Sequence, residues 1–130
     1  MTKPPLISIV DDDGIVRQAI ESLVTSLGFL ARVFPSAEAF LQSPQVAETS
    51  CLISDIQMPE VSGVQLQDRL VDLGLSIPMI FITAYPDDAV RARVLDRGAV
   101  GFLLKPFNAQ SLIECIDNAL GRRGEKMDSD

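Results

Sequence analysis

Carboxylates, a hydroxyl and a lysine each follow a short apolar segment of this sequence, at four widely separated places. They are Asp11 and Asp12, Asp55, Thr83 and Lys105. The segment before Asp55 shows the pattern most clearly, because Cys51–Ile53 is apolar and Pro59 forces a loop soon after the carboxylate. A carboxylate at the end of a buried strand is costly unless something at that place requires its charge. The pattern therefore indicates that Asp55 is a nucleophile or a metal ligand.

If these residues meet in one cleft, their charges determine the chemistry. Three carboxylates repel one another, so the site is incomplete without a cation. Because the available ligands are oxygens and the chain contains no histidine, a hard divalent ion is expected, and Mg²⁺ fits best. Lys105 adds a point charge suited to a phosphate oxygen, and Thr83 adds a hydroxyl donor. This set predicts a phosphoryl-transfer site in which Asp55 forms an aspartyl-phosphate, and positioning and charge neutralisation supply most of the catalysis.

The composition excludes several other kinds of function. Without histidine, the chain cannot contain a Ser-His-Asp triad, a histidine-ligated zinc site or a phosphohistidine carrier. Its formal charge of −7 argues against nucleic-acid binding by this segment, which would require clustered Lys and Arg. No apolar run approaches the roughly 20 residues of a membrane span, and the start lacks the apolar region of a signal peptide, so we expect a cytoplasmic protein with no membrane contact.

Cys51 and Cys115 lie in apolar segments and are predicted to be reduced core residues.

Strand-like and helix-like segments alternate five times along the 130 residues, a length that suits one domain. The predicted strands are Leu6–Val10, Phe29–Phe34, Cys51–Ile53, Pro78–Thr83 and Val100–Leu104. The predicted helices run from Ile15 to the stop at Gly28, from a Ser36 cap to Leu41, over Val64–Leu73, from an Asp87 or Asp88 cap to Arg97, and from an Asn108 cap to Leu120. On the third helix, Leu66, Leu70 and Leu73 share one side, and Gly74 ends the helix. Residues 45–50 give little signal and are predicted to form a surface connection.

This alternation predicts an α/β fold, a doubly wound five-stranded parallel sheet with right-handed crossovers and helices on both faces. Such a sheet gathers the carboxyl ends of its strands at one edge, where ligands bind in open parallel sheets. The second strand is interrupted by Arg32 and is expected at the side of the sheet. Only this fold would bring Asp11, Asp55 and Lys105 together.

The same residues carry a resemblance to a known family. Four stretches resemble the motifs of the receiver domain of bacterial two-component response regulators: Val10-Asp11-Asp12, Asp55-Ile56-Gln57-Met58-Pro59 with Gly63, Thr83-Ala84, and Lys105-Pro106-Phe107. Two further stretches, Ser36–Leu41 and Gly98–Phe102, resemble the FixJ-type branch of that family. The resemblance covers about residues 6–120. It implies a flavodoxin-like fold with five helices and the strand order 2-1-3-4-5, an order that the alternation by itself does not provide.

The resemblance also implies the metal ligands. It makes Asp12 a direct Mg²⁺ ligand and Asp11 a ligand that acts mainly through water. Asp55 and the backbone carbonyl of Gln57 complete the set of protein ligands.

The same resemblance implies how the phosphoryl group is handled. Asp55 would accept it from the histidine of a sensor histidine kinase and later lose it to water. Thr83 would turn toward the phosphoryl group, and Lys105 would pair with one of its oxygens. Phe102 falls at the aromatic switch position of the family, where tyrosine is also common, and without a hydroxyl it can respond only by packing.

A receiver is a signalling switch, and it catalyses only its own phosphorylation and dephosphorylation. The resemblance implies an output surface made of helix four, strand five and helix five, a homodimer on phosphorylation, and control of transcription. We assign residues 1–121 to the receiver domain. Residues 122–130 would be a tail or the start of a linker to a DNA-binding domain, which FixJ-type regulators carry after the receiver.

Two alternatives stay open at this point. A Mg²⁺-dependent phosphatase that works through an aspartyl-phosphate would use a second, general-acid aspartate, but Gln57 occupies the obvious position for it. A pseudo-receiver that acts only as a docking module would lack an acidic ligand or Lys105, and neither is missing. Each residue alone also has an ordinary interpretation, such as Asp13 capping the first helix from a solvated turn.

Overall fold

The computed structural model describes residues 3–121, and within them five strands alternate with five α-helices. The strands are β1 (Leu6–Val10), β2 (Leu30–Phe34), β3 (Thr49–Asp55), β4 (Met79–Thr83) and β5 (Gly101–Leu104). The helices are α1 (Gly14–Ser26), α2 (Ala37–Leu41), α3 (Gly63–Asp72), α4 (Asp88–Asp96) and α5 (Ala109–Ala119). The tail or linker predicted at 122–130 lies outside the described residues.

Each α-helix begins after a capping side chain, which explains where the helices start. Asp13, Ser36, Ser62, Asp87 and Asn108 each accept a hydrogen bond from a backbone N–H of the first helical turn. These bonds satisfy donors that have no partner inside the helix. The predicted caps are confirmed, and of the two candidates before α4 the structure selects Asp87.

All neighbouring strands are parallel and follow the order β2-β1-β3-β4-β5. The predicted fold class and strand order are confirmed, and β2 lies at one side of the sheet as expected. The direction of winding reverses between β1 and β3, and ligands of doubly wound sheets bind at such a point.

Alternate residues of the strands build two hydrophobic cores, one on each face of the sheet. On β4, Ile80 and Ile82 pack in the core that also holds α1 and α5, whereas Met79 and Phe81 pack in the core under α2, α3 and α4. Because both faces are covered, β4 is apolar throughout, as parallel strands usually are.

Two local features add detail that the sequence patterns did not provide. Leu73 is 65% exposed, because α3 ends at Asp72 and the chain turns away at Gly74 in a left-handed conformation. The surface connection predicted at residues 45–50 is found in its first part, where Pro44–Glu48 forms a 3-10 helix that is capped by Ser43 and has no buried residue, but β3 already begins at Thr49. Neither outcome moves a residue of the candidate site.

The cysteines are both free thiols, as predicted. Cys51 is fully buried on β3, and burial, with a smaller effect of Cys115, raises its pKa to about 12. It is therefore an inert core residue at neutral pH. In the part of the chain that the structure describes, no helix has the length and apolar character needed to cross a membrane.

Candidate functional site

The register between β1 and β3 brings the predicted carboxylates to the same level. Val10 pairs with Ser54, so Asp11 and Asp55 leave the sheet side by side. With Asp12, they form a cluster in which one carboxylate oxygen of each residue lies within 4.8 Å of the others. Asp11 and Asp55 are 1% and 5% exposed, whereas the Asp12 side chain is open to solvent. The cluster is therefore partly buried and reachable from one side.

Lys105 enters the cluster from the other half of the sheet. Thr83 pairs with Leu104 at the end of β4, and the backbone N–H of Lys105 donates to the Thr83 carbonyl at 2.8 Å. The Lys105 Nζ then lies 3.2 Å from Asp11 Oδ2 and 3.3 Å from Asp55 Oδ2. One ammonium group thus bridges the two buried carboxylates.

Hydrogen bonds between side chains and the backbone hold the β1–α1 turn against the cluster. The backbone N–H of Asp13 donates to Asp11 Oδ1 at 2.8 Å, while the Arg17 side chain donates to the Asp11 carbonyl at 2.7 Å. Asp13 also caps α1, so the helix begins where the acidic turn ends. The second oxygen, Asp11 Oδ2, is buried and makes no aligned hydrogen bond within residues 3–121, although the Lys105 ammonium is close to it.

The start of α3 packs closely against the end of β3, next to Asp55. The N–H of Gly63 donates to the carbonyl of Ile56 at 2.9 Å, which packs the start of α3 against the end of β3. A Cβ atom at Gly63 would overlap the backbone carbonyl of Asp55. Gly63 is therefore a positioning residue for Asp55. The sequence included this glycine in the Asp55 motif, but it did not show why a side chain is excluded at the position.

The surroundings of the site raise the pKa values of two of its charged groups, Asp55 and Lys105. Burial raises the pKa of the Asp55 carboxyl, and the neighbouring Asp11 raises it further, while Lys105 and the backbone N–H of Gln57 oppose the shift. For Lys105, burial disfavours the charged form, but Asp11 and Asp55 outweigh it and raise its pKa. An excess of negative charge therefore remains in the cleft after Lys105 is counted, and an added cation would be favourable.

The donor set fits a magnesium ion. The cluster offers three carboxylates, including the oxygen Asp11 Oδ2, to which no described residue makes an aligned hydrogen bond, and the exposed Asp12 leaves a side open for water and phosphate oxygens. Magnesium prefers a few carboxylate ligands and keeps several waters. Asp11, Asp12 and Asp55 could therefore hold such an ion, with the Gln57 carbonyl two residues beyond Asp55.

Thr83 lies at the site but makes a contact that the sequence did not predict. Its hydroxyl donates to the side-chain oxygen of Gln57 and accepts a bond from the N–H of Tyr85 at 3.1 Å. The hydroxyl is thus directed at Gln57 in this arrangement, and its predicted contact with a phosphoryl group requires that bond to be released. The sequence placed the Gln57 side chain near Asp55, but it did not indicate that this side chain binds the Thr83 hydroxyl.

Phe102 is half-buried on β5 and packs against the core under α2, α3 and α4. It also lines a groove of about 330 Å³ beside the start of α4, together with Asp87, Arg91 and Leu104. The ring therefore has open space on its solvent side. Its role as a switch stays a prediction.

Comparison with known proteins identifies what the chain is similar to. The family model of the response regulator receiver domain matches residues 7–117. The response regulator protein TmoT of Ectopseudomonas mendocina is 42% identical over 115 residues, which cover 88% of this chain and 52% of TmoT. The transcriptional regulatory protein FixJ of Rhizobium meliloti is 38% identical over 113 residues, which cover 87% of this chain and 55% of FixJ. The chain thus spans about half the length of these relatives.

Solved structures agree with this result. The crystal structure of FixJ-N matches with a TM-score of 0.82 and 38% identity, and the match covers 92% of this chain and 95% of that one. The response regulator StyR matches with a TM-score of 0.83 and 35% identity over 97% of this chain and 64% of its own.

Proposed function

The chain belongs to the response regulator receiver family, and we propose that its Asp55 accepts a phosphoryl group from the histidine of a sensor kinase. One observation carries the proposal: the Asp55 carboxylate is 5% exposed, clustered with two other carboxylates, and 3.3 Å from a lysine ammonium. An isolated buried carboxylate would be costly, and this surrounding is the one that a carboxylate nucleophile for phosphate requires.

In the proposed reaction, an Asp55 oxygen attacks the phosphorus atom, and the bond from phosphorus to the histidine nitrogen breaks. The histidine keeps the electron pair of that bond, and the new bond is an acyl phosphate. Lys105 stays near Asp55 and donates to a phosphoryl oxygen, which offsets part of the added negative charge. Later attack by water on phosphorus regenerates the Asp55 carboxylate and releases inorganic phosphate.

We further propose that Asp11, Asp12 and Asp55, with the Gln57 carbonyl, hold Mg²⁺. The ion would supply positive charge for the phosphoryl oxygens and reduce repulsion among the carboxylates. The phosphatase alternative receives no support, because Gln57 cannot donate an acidic proton and its amide is engaged by the Thr83 hydroxyl.

Ile15 suggests how the kinase is recognised. This apolar side chain is 82% exposed at the start of α1, directly after the acidic turn. A single exposed apolar residue is ordinary on a protein surface, so we infer a contact with the protein that delivers the phosphoryl group from the position of Ile15 at the rim of the reaction site.

The output would be a change in the surface of α4, β5 and α5. The phosphoryl group would draw the Thr83 hydroxyl away from Gln57, and Phe102 would repack beside α4. We propose that this change promotes a homodimer and, as the name of the relative FixJ suggests, serves transcriptional control. Residues 1–121 would form the receiver, and DNA binding would belong to a following domain. Because sensor kinases obtain phosphate from ATP, the module would work in the cytoplasm.

Acetyl phosphate and Mg²⁺ test the chemistry without a kinase. Intact-mass spectra should show one added phosphoryl group that is lost in acid, and Asp55→Asn should show none. Ile15→Asp should be labelled as fast as wild type by acetyl phosphate, yet more slowly by the phosphorylated kinase. The same adduct on Asp55→Asn would disprove the proposed acceptor.

Beryllofluoride, which with Mg²⁺ mimics a phosphoryl group on a carboxylate, tests the dimer. Sedimentation should change from monomer to dimer at micromolar concentrations. A monomer under both conditions would contradict the proposed dimer while leaving the phosphorylation chemistry intact.

A further inference from the structure

A second groove lies at the opposite end of β4 from the acidic site. It has a volume of about 320 Å³ and runs between the end of α3, the start of β4 and the end of α4. Its apolar lining includes Leu70, Val71, Leu75, Ile77, Met79 and Val100. Small-molecule sites are typically concave and mostly apolar, with a few placed polar groups, and start at roughly 300 Å³. The groove has the size and lining of such a site.

One polar side chain in the lining has an unused hydrogen-bonding atom. Gln67 is 3% exposed, and its Nε2 donates to the Val94 carbonyl at 3.0 Å. Its other atom, Oε1, has no hydrogen-bond partner within the described residues. A buried acceptor without a partner is costly, and such atoms are rare in folded proteins. Gln67 is part of the groove lining, and a donor that reached its Oε1 from the groove would remove that cost.

We propose that this groove binds a small, largely apolar molecule that carries one N–H or O–H donor, which bonds to Gln67 Oε1. Arg97 also lines the groove, but its Nε lies 3.1 Å from a carboxylate oxygen of Asp68. Its charge is therefore already paired, and among the described residues the lining offers no unpaired cation with which to select an anion. Val71 and Val100 are 47% and 36% exposed, so the apolar lining continues to the open rim.

A bound molecule would also tighten the contact between α3 and α4. The Val94 carbonyl accepts from the N–H of Ala99 at 2.9 Å as well as from Gln67, so Gln67 connects α3 to the last turn of α4. Donation to Oε1 polarises the amide and strengthens the bond that Nε2 makes. The ligand would thus oppose a movement of α4; this consequence rests on the proposed function, whereas the binding does not.

The binding is tested without any phosphoryl donor, by ¹⁵N–¹H NMR of the 130-residue chain. Indole, a flat apolar probe with one N–H, should shift the resonances of the Gln67 side-chain amide, Val71 and Met79, with a dissociation constant on the order of 1 mM. 1-Methylindole, which lacks the N–H, should bind roughly tenfold more weakly.

Two variants provide the matched controls. Val71→Trp should fill the groove and abolish the shifts, whereas Leu73→Trp, on a side chain that is 65% exposed and outside the lining, should leave them unchanged. Three results would each overturn the proposal: no shifts at the groove up to the solubility of indole, equal affinity for the two probes, or unchanged binding to Val71→Trp. A groove that simply holds a water on Gln67 would give the first of these.

Discussion

Gln57→Leu should make the active state easier to reach, because Gln57 holds the Thr83 hydroxyl in its present position. A phosphoryl group on Asp55 would have to draw that hydroxyl away. Every interaction that favours the present position therefore lowers the apparent affinity for a phosphoryl mimic. Leucine has nearly the same size but offers no acceptor, so it removes the bond and keeps the backbone carbonyl of residue 57.

The expected change in beryllofluoride affinity depends on which hydrogen bonds the Thr83 hydroxyl can still make in the Gln57→Leu variant. A neutral hydrogen bond contributes about 0.5–1.5 kcal/mol net, or roughly a 2- to 12-fold change in an equilibrium constant. In the variant, Thr83 can still donate weakly to the Tyr85 carbonyl, which lies 3.4 Å away, and it still accepts from the Tyr85 N–H. We therefore expect the lower half of the range, roughly a 2- to 5-fold gain in beryllofluoride affinity.

The natural fluorescence of the chain provides the assay. Tyr85 is the single tyrosine, there is no tryptophan, and its backbone is bonded to Thr83, so tyrosine emission reports on the loop that must rearrange. Beryllofluoride is titrated at fixed Mg²⁺ into wild type, Gln57→Leu and a control, Gln18→Leu, which changes an exposed glutamine on α1. The control should match wild type.

A double-mutant cycle separates the hydrogen bond from a direct effect of the new side chain. In a Thr83→Val background the bond is already absent, so Gln57→Leu should no longer change the affinity. If Gln57→Leu weakens binding, or has the same effect with and without the Thr83 hydroxyl, then Gln57 does not restrain Thr83 and the reasoning is wrong.

Three other predictions concern the acidic site. Mg²⁺ at ten times its dissociation constant should stabilise the wild type by about 1.4 kcal/mol; thermal melts of Asp12→Ala should lose this gain, and those of Asp72→Ala, an exposed control, should keep it. Gly63→Ala should lower the free energy of unfolding in urea by roughly 2 kcal/mol or more, because its Cβ would overlap the Asp55 carbonyl. Gly14→Ala, whose Cβ would meet only a side-chain nitrogen of Arg17 at 3.5 Å, should cost little; equal costs would contradict the packing argument. Finally, the raised pKa of Asp55 means that the folded state binds this proton more tightly than the unfolded state, so its contribution to metal-free stability is present below the ordinary carboxyl pKa of 3.8 and is lost as pH rises through the folded value. In EDTA, the stability of wild type relative to Asp55→Asn should therefore fall as pH rises through that window, and a constant difference would refute the shift.

Much of the fold could be read from local patterns, because those patterns have local physical causes. Capping residues such as Asp13 and Asn108 mark helix starts, since they bond to N–H groups two or three positions away. The continuous apolar run of β4 marked a strand covered on both faces. Strand-end positions identified Asp55 and Lys105 as neighbours, because parallel strands place all their carboxyl ends at one edge. The strand order came only from the family resemblance, because an alternating pattern is compatible with several orders.

Other features depended on contacts between segments that are distant in the chain. Leu73 has the spacing of a buried residue but is exposed, because spacing predicts a face only while the helix continues. The bond from Thr83 to Gln57 joins positions 26 residues apart, and it forms because the ends of β3 and β4 are neighbours. The same holds for Gln67 Oε1, which has no hydrogen-bond partner in the described part of the chain and is buried where α4 approaches α3. Local patterns therefore specify which elements form and which residue types reach the sheet edge. The pairing of their polar atoms becomes visible only in the folded molecule, because pairing depends on ångström-scale distances between elements that no local pattern specifies.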